Sequence, residues 1–504
     1  MPINYGLITI MVSEQLTPAA GPSLSEGGIE RLGRNRRIGV LAICCTSLFI
    51  IGLDVTAVNV ALPSIGHDLH APISGLQWTI DAYSVVLASL LMLSGSMADR
   101  FGRKRTFAIG LAVFCAGSLL CSLAPNVGLL AAFRALQAVG GSMLTPVAMS
   151  IITNTFTNPR ERAQAVGAWG AVFGISMALG PVVGGALVSS VGWRSIFWIN
   201  LPIGLAAIAL TLRFIPESRA LRPRRPDPGG QVCVSVLLAG LTYGIIEAPD
   251  SGWSSPSIVA AFAASAAALI ALLVYEPRRN EPLIDLRFFR SIPFASSIVI
   301  STASFAAFGG FLFLNTLYLQ EVRGASPLRA GLDTLPLAAM IVVAAPLSGR
   351  VVGRHGPRVP LMISGVTMCI ACVMLTGIAP ATAFWRLIVA YVLFGIGFGF
   401  VNVPITNAAV SGMPRAQAGV AAAIATTSRQ VGQALGVAVV GAIVSSSAGQ
   451  SVHGDISPAS HPAWWTLAAC AGAVLVLGLM GTSARARRSA QRTAAQLNPE
   501  ALVE

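Results

Sequence analysis

Charge is what this chain has least of. Only 11% of its 504 residues are Asp, Glu, Lys or Arg, against roughly 25% in a soluble domain, and mean hydropathy is +0.73. That shortage excludes a globule solvated by water. Lysine is almost missing: Lys104 is the only one, and Arg105 follows it. A nucleotide-binding phosphate loop needs Lys followed by Ser or Thr, so ATP hydrolysis by this chain is excluded at the motif level. No ATPase partner is indicated, which leaves an ion gradient as the power source. Histidine is scarce too. His67, His70, His355, His453 and His461 fall in expected loops, and "GHDLH", despite its metal-like look, reads as a solvated loop because no further cluster completes it. The eight cysteines sit inside apolar runs and form no framework. Cys369 and Cys372 have C-x-x-C spacing but read as small apolar fillers. No metal or nucleophile set lies within the apolar runs, so no cofactor, no metal and no enzyme activity are expected. No soluble signalling domain is visible, which disfavours a membrane sensor.

What the chain has is apolar length. Runs of about 20 residues recur, enough to cross a hydrocarbon core ~30 Å thick at ~1.5 Å per residue. The expected spans are 38–62, 76–98, 105–124, 127–152, 163–190, 194–213, 229–248, 256–275, 292–319, 328–349, 359–378, 383–408, 417–446 and 463–482. The fold class is therefore an all-α polytopic membrane protein with 14 transmembrane helices. "YGLITIMV" near the start is too short to span, and no cleavable leader is evident. Net charge of +13 raises nucleic acid as a partner, but the placement of the basic residues decides against it. Nearly all of them fall in alternate loops. Only Arg194, Arg323, Arg329 and Arg386 lie on the opposite side, with Arg134 and Arg429 inside spans. That asymmetry puts both termini in the cytoplasm of a multi-pass plasma-membrane protein whose surroundings are lipid.

The densest charge cluster, "GSMADRFGRKR" (Gly95–Arg105), recurs as "GRVVGRHGPRV" at an offset of 254. Gly95 matches Gly349, Arg100 matches Arg354 and Gly102 matches Gly356, while Gly353 replaces Asp99. Both copies lie between the second and third spans of a six-span block, the tandem plan of transporters whose substrate site lies between pseudo-symmetric halves. The organisation is an N-terminal segment 1–37, a six-helix half 38–215, a Pro-rich basic linker 216–228 and two inserted spans 229–275. A cytoplasmic amphipathic segment 276–291, a second six-helix half 292–482 and a polar tail 483–504, expected to be mobile, complete it.

Proton coupling needs a carboxylate or histidine that reaches the pathway. Asp54, Asp81, Glu247 and Asp333 lie within or at the outer mouths of spans. Asp54, in the first span, and Arg134, in the fourth, both fall at ~10–12 Å depth on a rise of ~1.5 Å per residue. Neither charge is expected to stand alone in lipid, so a pair or shared water network is expected. It is either a structural ion pair between two helices or a coupling carboxylate. Asp81 reads either as functional or as a helix-start residue favoured by the N-terminal dipole. Glu247 and Asp333 read as wet, although Asp333 stays a proton candidate. Arg429 is either deep or snorkelling to the cytoplasmic side.

These residues sit in stretches that together resemble the major facilitator superfamily, specifically its fourteen-span drug–proton antiporter family, over about 38–482. "LDVTAVNVALP" is similar to the family's first-span motif, with its acid at Asp54. "GSMADRFGRKR" is similar to the superfamily's loop 2–3 motif. "RALQAVGG" resembles the fourth-span motif at Arg134 and Gln137, with Ala138 where Gly is usual. "GPVVGG" (Gly180, Pro181, Gly184 and Gly185) resembles the fifth-span exporter motif, and "WRSIFWINLPIG" and "LYLQEVRGASPLRAGLDTLP" resemble further fourteen-span stretches. The resemblance implies alternating-access export of small lipophilic drugs or antibiotics in exchange for protons, with export of one endogenous metabolite as the alternative. It implies coupling through Asp54, Arg134 and Gln137, with Asp81 and Asp333 as further candidates. It also implies a conformational gate at Gly95, Asp99, Arg100, Gly102 and Arg103, in which Asp99 and Arg103 bridge the halves while the cytoplasmic side is closed. Asp99 is expected to meet the positive N-terminal end of the thirteenth span. Gly95 and Gly102 are expected to allow close approach. Pro181 and its flanking glycines are expected to give a kinked, flat helix face for tight packing.

Overall fold

The structure is a computed structural model, and it describes residues 33–220, 226–279, 281–411, 413, 417–448 and 457–497. The stretch 1–32, the middle of the linker with Arg222, Arg224 and Arg225, Arg415 and His453 lie outside the described residues.

Helix starts follow local chemistry. Asn158 accepts from the Arg160 and Glu161 amides with Pro159 behind it, Asp227 accepts from the Gly230 amide ahead of Pro228, and Ser326 accepts from the Arg329 amide ahead of Pro327. Each side chain satisfies an orphan donor, and each proline supplies a first helical residue with no amide hydrogen to lose. The helices are α1 (Arg34–Leu69), α2 (Ile73–Phe101), α3 (Arg103–Ser122), α4 (Val127–Thr155), α5 (Pro159–Ser190), α6 (Ser195–Trp198) and α7 (Asn200–Phe214) in the first half. The inserted pair is α8 (Pro228–Ser251) and α9 (Pro256–Tyr275). The second half is α10 (Ile292–Leu317), α11 (Pro327–Asp333), α12 (Leu335–His355), α13 (Arg358–Leu375), α14 (Phe384–Val410), α15 (Ala418–Ala448) and α16 (Ser457–Gly481), and α17 (Ala484–Leu497) follows. With α6–α7 and α11–α12 each making one crossing, fourteen stretches are long and apolar enough to span a bilayer. The fold is all-α, as expected.

Several boundaries differ from the sequence reading. The first span runs on through Pro63 to Leu69, so His67 ends a helix instead of lying in a loop. The 276–291 segment forms two 3₁₀ turns, Glu276–Arg278 and Leu286–Arg290. The tail, expected to be mobile, forms α17, because Ala486, Ala490 and Thr493 recur every three to four residues and bury one stripe.

The halves meet unevenly. We call the ends of the helices that carry most arginines the basic end, and the opposite ends the far end. Hydrogen bonds between the halves cluster towards the far end. Gln320 Nε2 donates to Val60 O (2.8 Å), the Leu328 amide to Ser189 Oγ (3.1 Å), and Gln77 Nε2 to Val437 O and Ala438 O (3.2 and 2.8 Å). His67 Nε2 lies 3.2 Å from Glu321 Oε1 in the same region. Helix α5 records the asymmetry along its own length. A methyl group at Gly167, Gly170 or Gly174 would meet no atom within 4 Å. At Gly184 it would lie 2.8 Å from Ala57 Cα of α1, and at Gly185 it would lie 2.5 Å from Pro327 O of α11. Gly180 abuts Thr56, and Gly331 of α11 abuts the Pro181 carbonyl. Small residues let these backbones touch, so α1, α5 and α11 seal the far end, while towards the basic end α5 stays packed within its own half, through Arg37–Glu161 and Ala165, and its glycines meet nothing across the gap.

Candidate functional site

Asp54 and Arg134 do pair. Arg134 Nη1 donates to Asp54 Oδ2 at 2.6 Å, with the side chains 2% and 0% exposed. The carboxylate has more partners than the sequence suggested. Gln137 Nε2 (3.0 Å) and Asn200 Nδ2 (3.1 Å) both donate to Asp54 Oδ1. Arg134 also donates to Gln137 Oε1 (2.7 Å) and, through Nε, to Thr79 O (3.1 Å), and its guanidinium carbon lies 4.3 Å from the Tyr83 ring centre. Asn200 donates in addition to Ser118 Oγ (3.0 Å), which donates to Phe197 O (2.9 Å). One buried carboxylate thus joins α1, α4 and α7, and its arginine reaches α2. Charge-assisted bonds of this kind are about twice as strong as neutral ones, and Asp54, Arg134 and Gln137 each bond to the other two. Arg134 and Gln137 sit three residues apart, so they share a helix face. Asn200 had no such signal. It is uncharged, far along the chain from Gln137, and announced only as a polar residue between "WI" and "LP".

The other proton candidates do not join this cluster. Asp81 lies more than two turns inside α2, which begins at Ile73, so it is no helix-start residue. It is fully buried, and neither carboxylate oxygen has a hydrogen-bond partner. Residues 77, 81, 85 and 88 share one face of α2. Gln77 bonds to α15, and Val85 and Ala88 pack with Val234, Leu238 and Ala434, so Asp81 faces the seam of α2, α8 and α15. Around it, Trp78 Nε1 donates to Glu247 Oε1 (2.7 Å), and Asp250 accepts from Ser74 (2.9 Å) and Ser445 (3.4 Å). Glu247, expected to be wet, is engaged. Asp333 ends the short helix α11 and pairs with Arg329 at 2.9 Å. Arg429 combines both of its readings. Its Cα is three turns into α15, and its Nη2 reaches back to Thr406 Oγ1 (2.6 Å) near the basic end of α14.

In the gate stretch, Asp99 Oδ1 accepts from Arg103 Nη2 at 2.8 Å. Among the described residues, the other contacts given for the stretch run to α7 and to the start of the linker. The Ala220 amide donates to Asp99 O, the Arg103 amide to Ser218 O, the Lys104 amide to Glu217 Oε1, and Lys104 Nζ to Leu212 O. The partners given for Asp99 among the described residues, Arg103 and the linker residue Ala220, do not include the thirteenth span, against which the sequence reading placed it. Gly102 is required by its backbone, and a side chain there would also push the Glu217 carboxylate aside. Its φ is +111°, and a Cβ there would lie 2.5 Å from Glu217 Oε1. Its repeat partner Gly356 also has positive φ, +74°. Gly95 needs no such explanation, because a Cβ would meet only Pro146 Cβ at an ordinary 3.9 Å. Arg100 is exposed.

Between the halves, Thr56, Met177, Pro181, Phe308, Leu312 and Leu337 enclose a largely apolar gap of about 20 Å³. Among the described residues no group of three His, Cys, Asp or Glu could hold a metal.

Known proteins carry the same plan. Residues 44–437 match the model of the Major Facilitator Superfamily. The Tetracenomycin C resistance and export protein of Streptomyces glaucescens is 36% identical, over 82% of this chain and 77% of its own length. Multidrug resistance protein Stp of Mycobacterium tuberculosis is 35% identical, over 81% and 76%, and the Methylenomycin A resistance protein of Bacillus subtilis 33%, over 84% and 91%. Among solved structures, an auto-inhibited POT family peptide transporter shares the fold at a TM-score of 0.65 and 14% identity, covering 88% of this chain and 96% of that one. An inward-facing bacterial homologue of the lysosomal transporter Spinster does so at 0.58 and 18%, covering 92% and 99%. With fourteen spans, matching motifs and efflux proteins as its relatives, this chain belongs to the Major Facilitator Superfamily, in its fourteen-span drug-efflux branch.

Proposed function

We propose that the chain exports lipophilic drugs or antibiotics across the plasma membrane in exchange for protons, with both termini and the basic end in the cytoplasm. The observation that carries the coupling is the buried Asp54–Arg134–Gln137–Asn200 cluster in a chain with no nucleotide motif. On this reading the far-end seal of α1, α5 and α11 belongs to the state open to the cytoplasm, where substrate is collected. A proton reaching Asp54 replaces the charge that holds Arg134, Gln137 and Asn200, loosening α1 from α4 and α7. Only the first half carries this set. Phe308, which the 254-residue offset sets opposite Asp54, stacks on Phe398 at 4.0 Å. One half therefore responds to protons and the other offers apolar walls. In this mechanism Asp81, on the seam, is the second proton carrier, and Asp99 and Arg103 bridge to the second half once the cytoplasmic side closes. Differential affinity of proton and substrate for the two states then moves the equilibrium.

The test is reconstitution. In proteoliposomes an imposed pH gradient should drive substrate uphill without ATP, and a protonophore should abolish the movement. Transport that needs ATP and ignores the protonophore refutes the reading. A susceptibility panel in expressing cells, including tetracenomycin C and methylenomycin A, separates broad efflux from a dedicated exporter.

A further inference from the structure

At the basic end, α17 does more than follow the last span. It lies against the start of α10, with Ser489 Oγ accepting from the Ile292 amide (3.0 Å) and Arg290 Nη1 donating to Gln496 Oε1 (3.4 Å). Ala486, Ala490 and Thr493 fill the contact stripe. Between the two elements opens a cleft of about 560 Å³, lined by Arg290, Ile292, Arg485, Arg488, Ser489 and Arg492. Four arginines line it, and none is ion-paired with a described acid. Arg485, Arg488 and Arg492 recur every three to four residues, so they form one stripe on which like charges repel. A counter-anion relieves that repulsion, and phosphate oxygens match the planar guanidinium fork.

The position of the cleft says which anion. It sits between the first residue of α10 and the helix that follows α16, at the level where apolar spans end. Phe289 beside it is 40% exposed and packs edge-on against Phe294 at 5.2 Å, leaving an apolar ring next to the arginines where a lipid's acyl chains would begin. Basic residues that only set topology need no walls, no ordered helix and no apolar ring beside them.

We propose that this cleft binds the phosphate of an acidic phospholipid headgroup, tying α17 and the start of α10 to the membrane surface. To test it, full-length protein in neutral detergent is titrated with phosphatidylglycerol, phosphatidylcholine or inorganic phosphate, and bound ligand is read by native mass spectrometry. Phosphatidylglycerol is expected to bind saturably and more tightly than the other two. The variant Arg485→Gln/Arg488→Gln/Arg492→Gln should lose on the order of 100-fold in affinity, from the usual contribution of each basic residue near an anionic surface. The variant Arg485→Lys/Arg488→Lys/Arg492→Lys keeps the charge that topology needs and should lose about tenfold, because the fork is gone. The control Arg350→Gln/Arg354→Gln/Arg358→Gln should bind like the parent. Equal losses in the control and the α17 variant would overturn the site in favour of general basicity. Inorganic phosphate binding as tightly as phosphatidylglycerol would overturn the lipid as occupant. So would lipid binding that appears only after Glu500→Gln/Glu504→Gln, since the tail's own carboxylates would then fill the cleft.

Discussion

Asp54→Asn strands a guanidinium inside the first half. Arg134 would keep Gln137 Oε1, Thr79 O and the Tyr83 ring face, all of which it already uses, so nothing new offsets the lost carboxylate. Removing one member of a buried pair costs about 3–5 kcal/mol. Arg134→Gln leaves Asp54 with Gln137 and Asn200 as donors but no counter-charge, and the expected loss falls in the same range. The double variant Asp54→Asn/Arg134→Gln carries no charge, and its amides can bond to the same neighbours. Its cost should therefore fall short of the two single costs together by about 3 kcal/mol, the upper end for residues in contact. Denaturant unfolding of the four proteins in mixed micelles measures that coupling, and a value below about 0.5 kcal/mol refutes the pair. Transport separates stability from mechanism. The double variant should regain folding yet fail to convert a pH gradient into uphill efflux, since residue 54 then carries no titratable proton. If it pumps like the parent at matched reconstitution, Asp54 is structural and coupling passes to Asp81.

Asp81→Asn keeps the buried shape and removes only the titratable proton, so expression and substrate binding should persist while uphill transport falls at least tenfold; unchanged pumping would remove Asp81 from the cycle. Asn200→Leu takes away donors to both Asp54 and Ser118 and should cost about 2–3 kcal/mol in the same unfolding assay, with Asn200→Asp much worse because it sets two carboxylates together. Gly185→Val drives a side chain into the Pro327 carbonyl and should break the far-end seal; single cysteines placed at that end should then label faster with an impermeant maleimide, and an unchanged rate would mean that the seam does not depend on close approach.

How far the sequence reaches can be judged from single residues. The spans, the repeat and the Asp54–Arg134 pair follow from apolar length and from the rule that charge at depth finds a partner. Gln137 follows from its spacing on the same helix face. Asn200 does not, because a neutral amide carries no electrostatic demand and its site depends on how α7 packs against α1. The second span begins three residues earlier than the sequence reading has it, at Ile73 and not 76, and that shift removes the helix-start reading of Asp81 and leaves the functional one. The tail looked featureless because its arginines hide an alanine stripe that matters only once α10 is beside it. Gly95 and Gly102 look alike in sequence, and only backbone geometry separates the second, with its positive φ, from the first.

Lys104, in the first turn of α3, makes the junction of α2 and α3 a reporter. A protease that cuts only after lysine has a single bond to attack in all 504 residues, the one between Lys104 and Arg105. In the structure that bond is guarded, since the Lys104 amide is held by Glu217, just after α7, and its ammonium by the Leu212 carbonyl in the last turn of α7. Cleavage therefore requires the junction to lift away from Glu217 and Leu212. The rate at which two fragments appear, with and without substrate or a pH step, then times the opening of this corner in a protein that carries no added label.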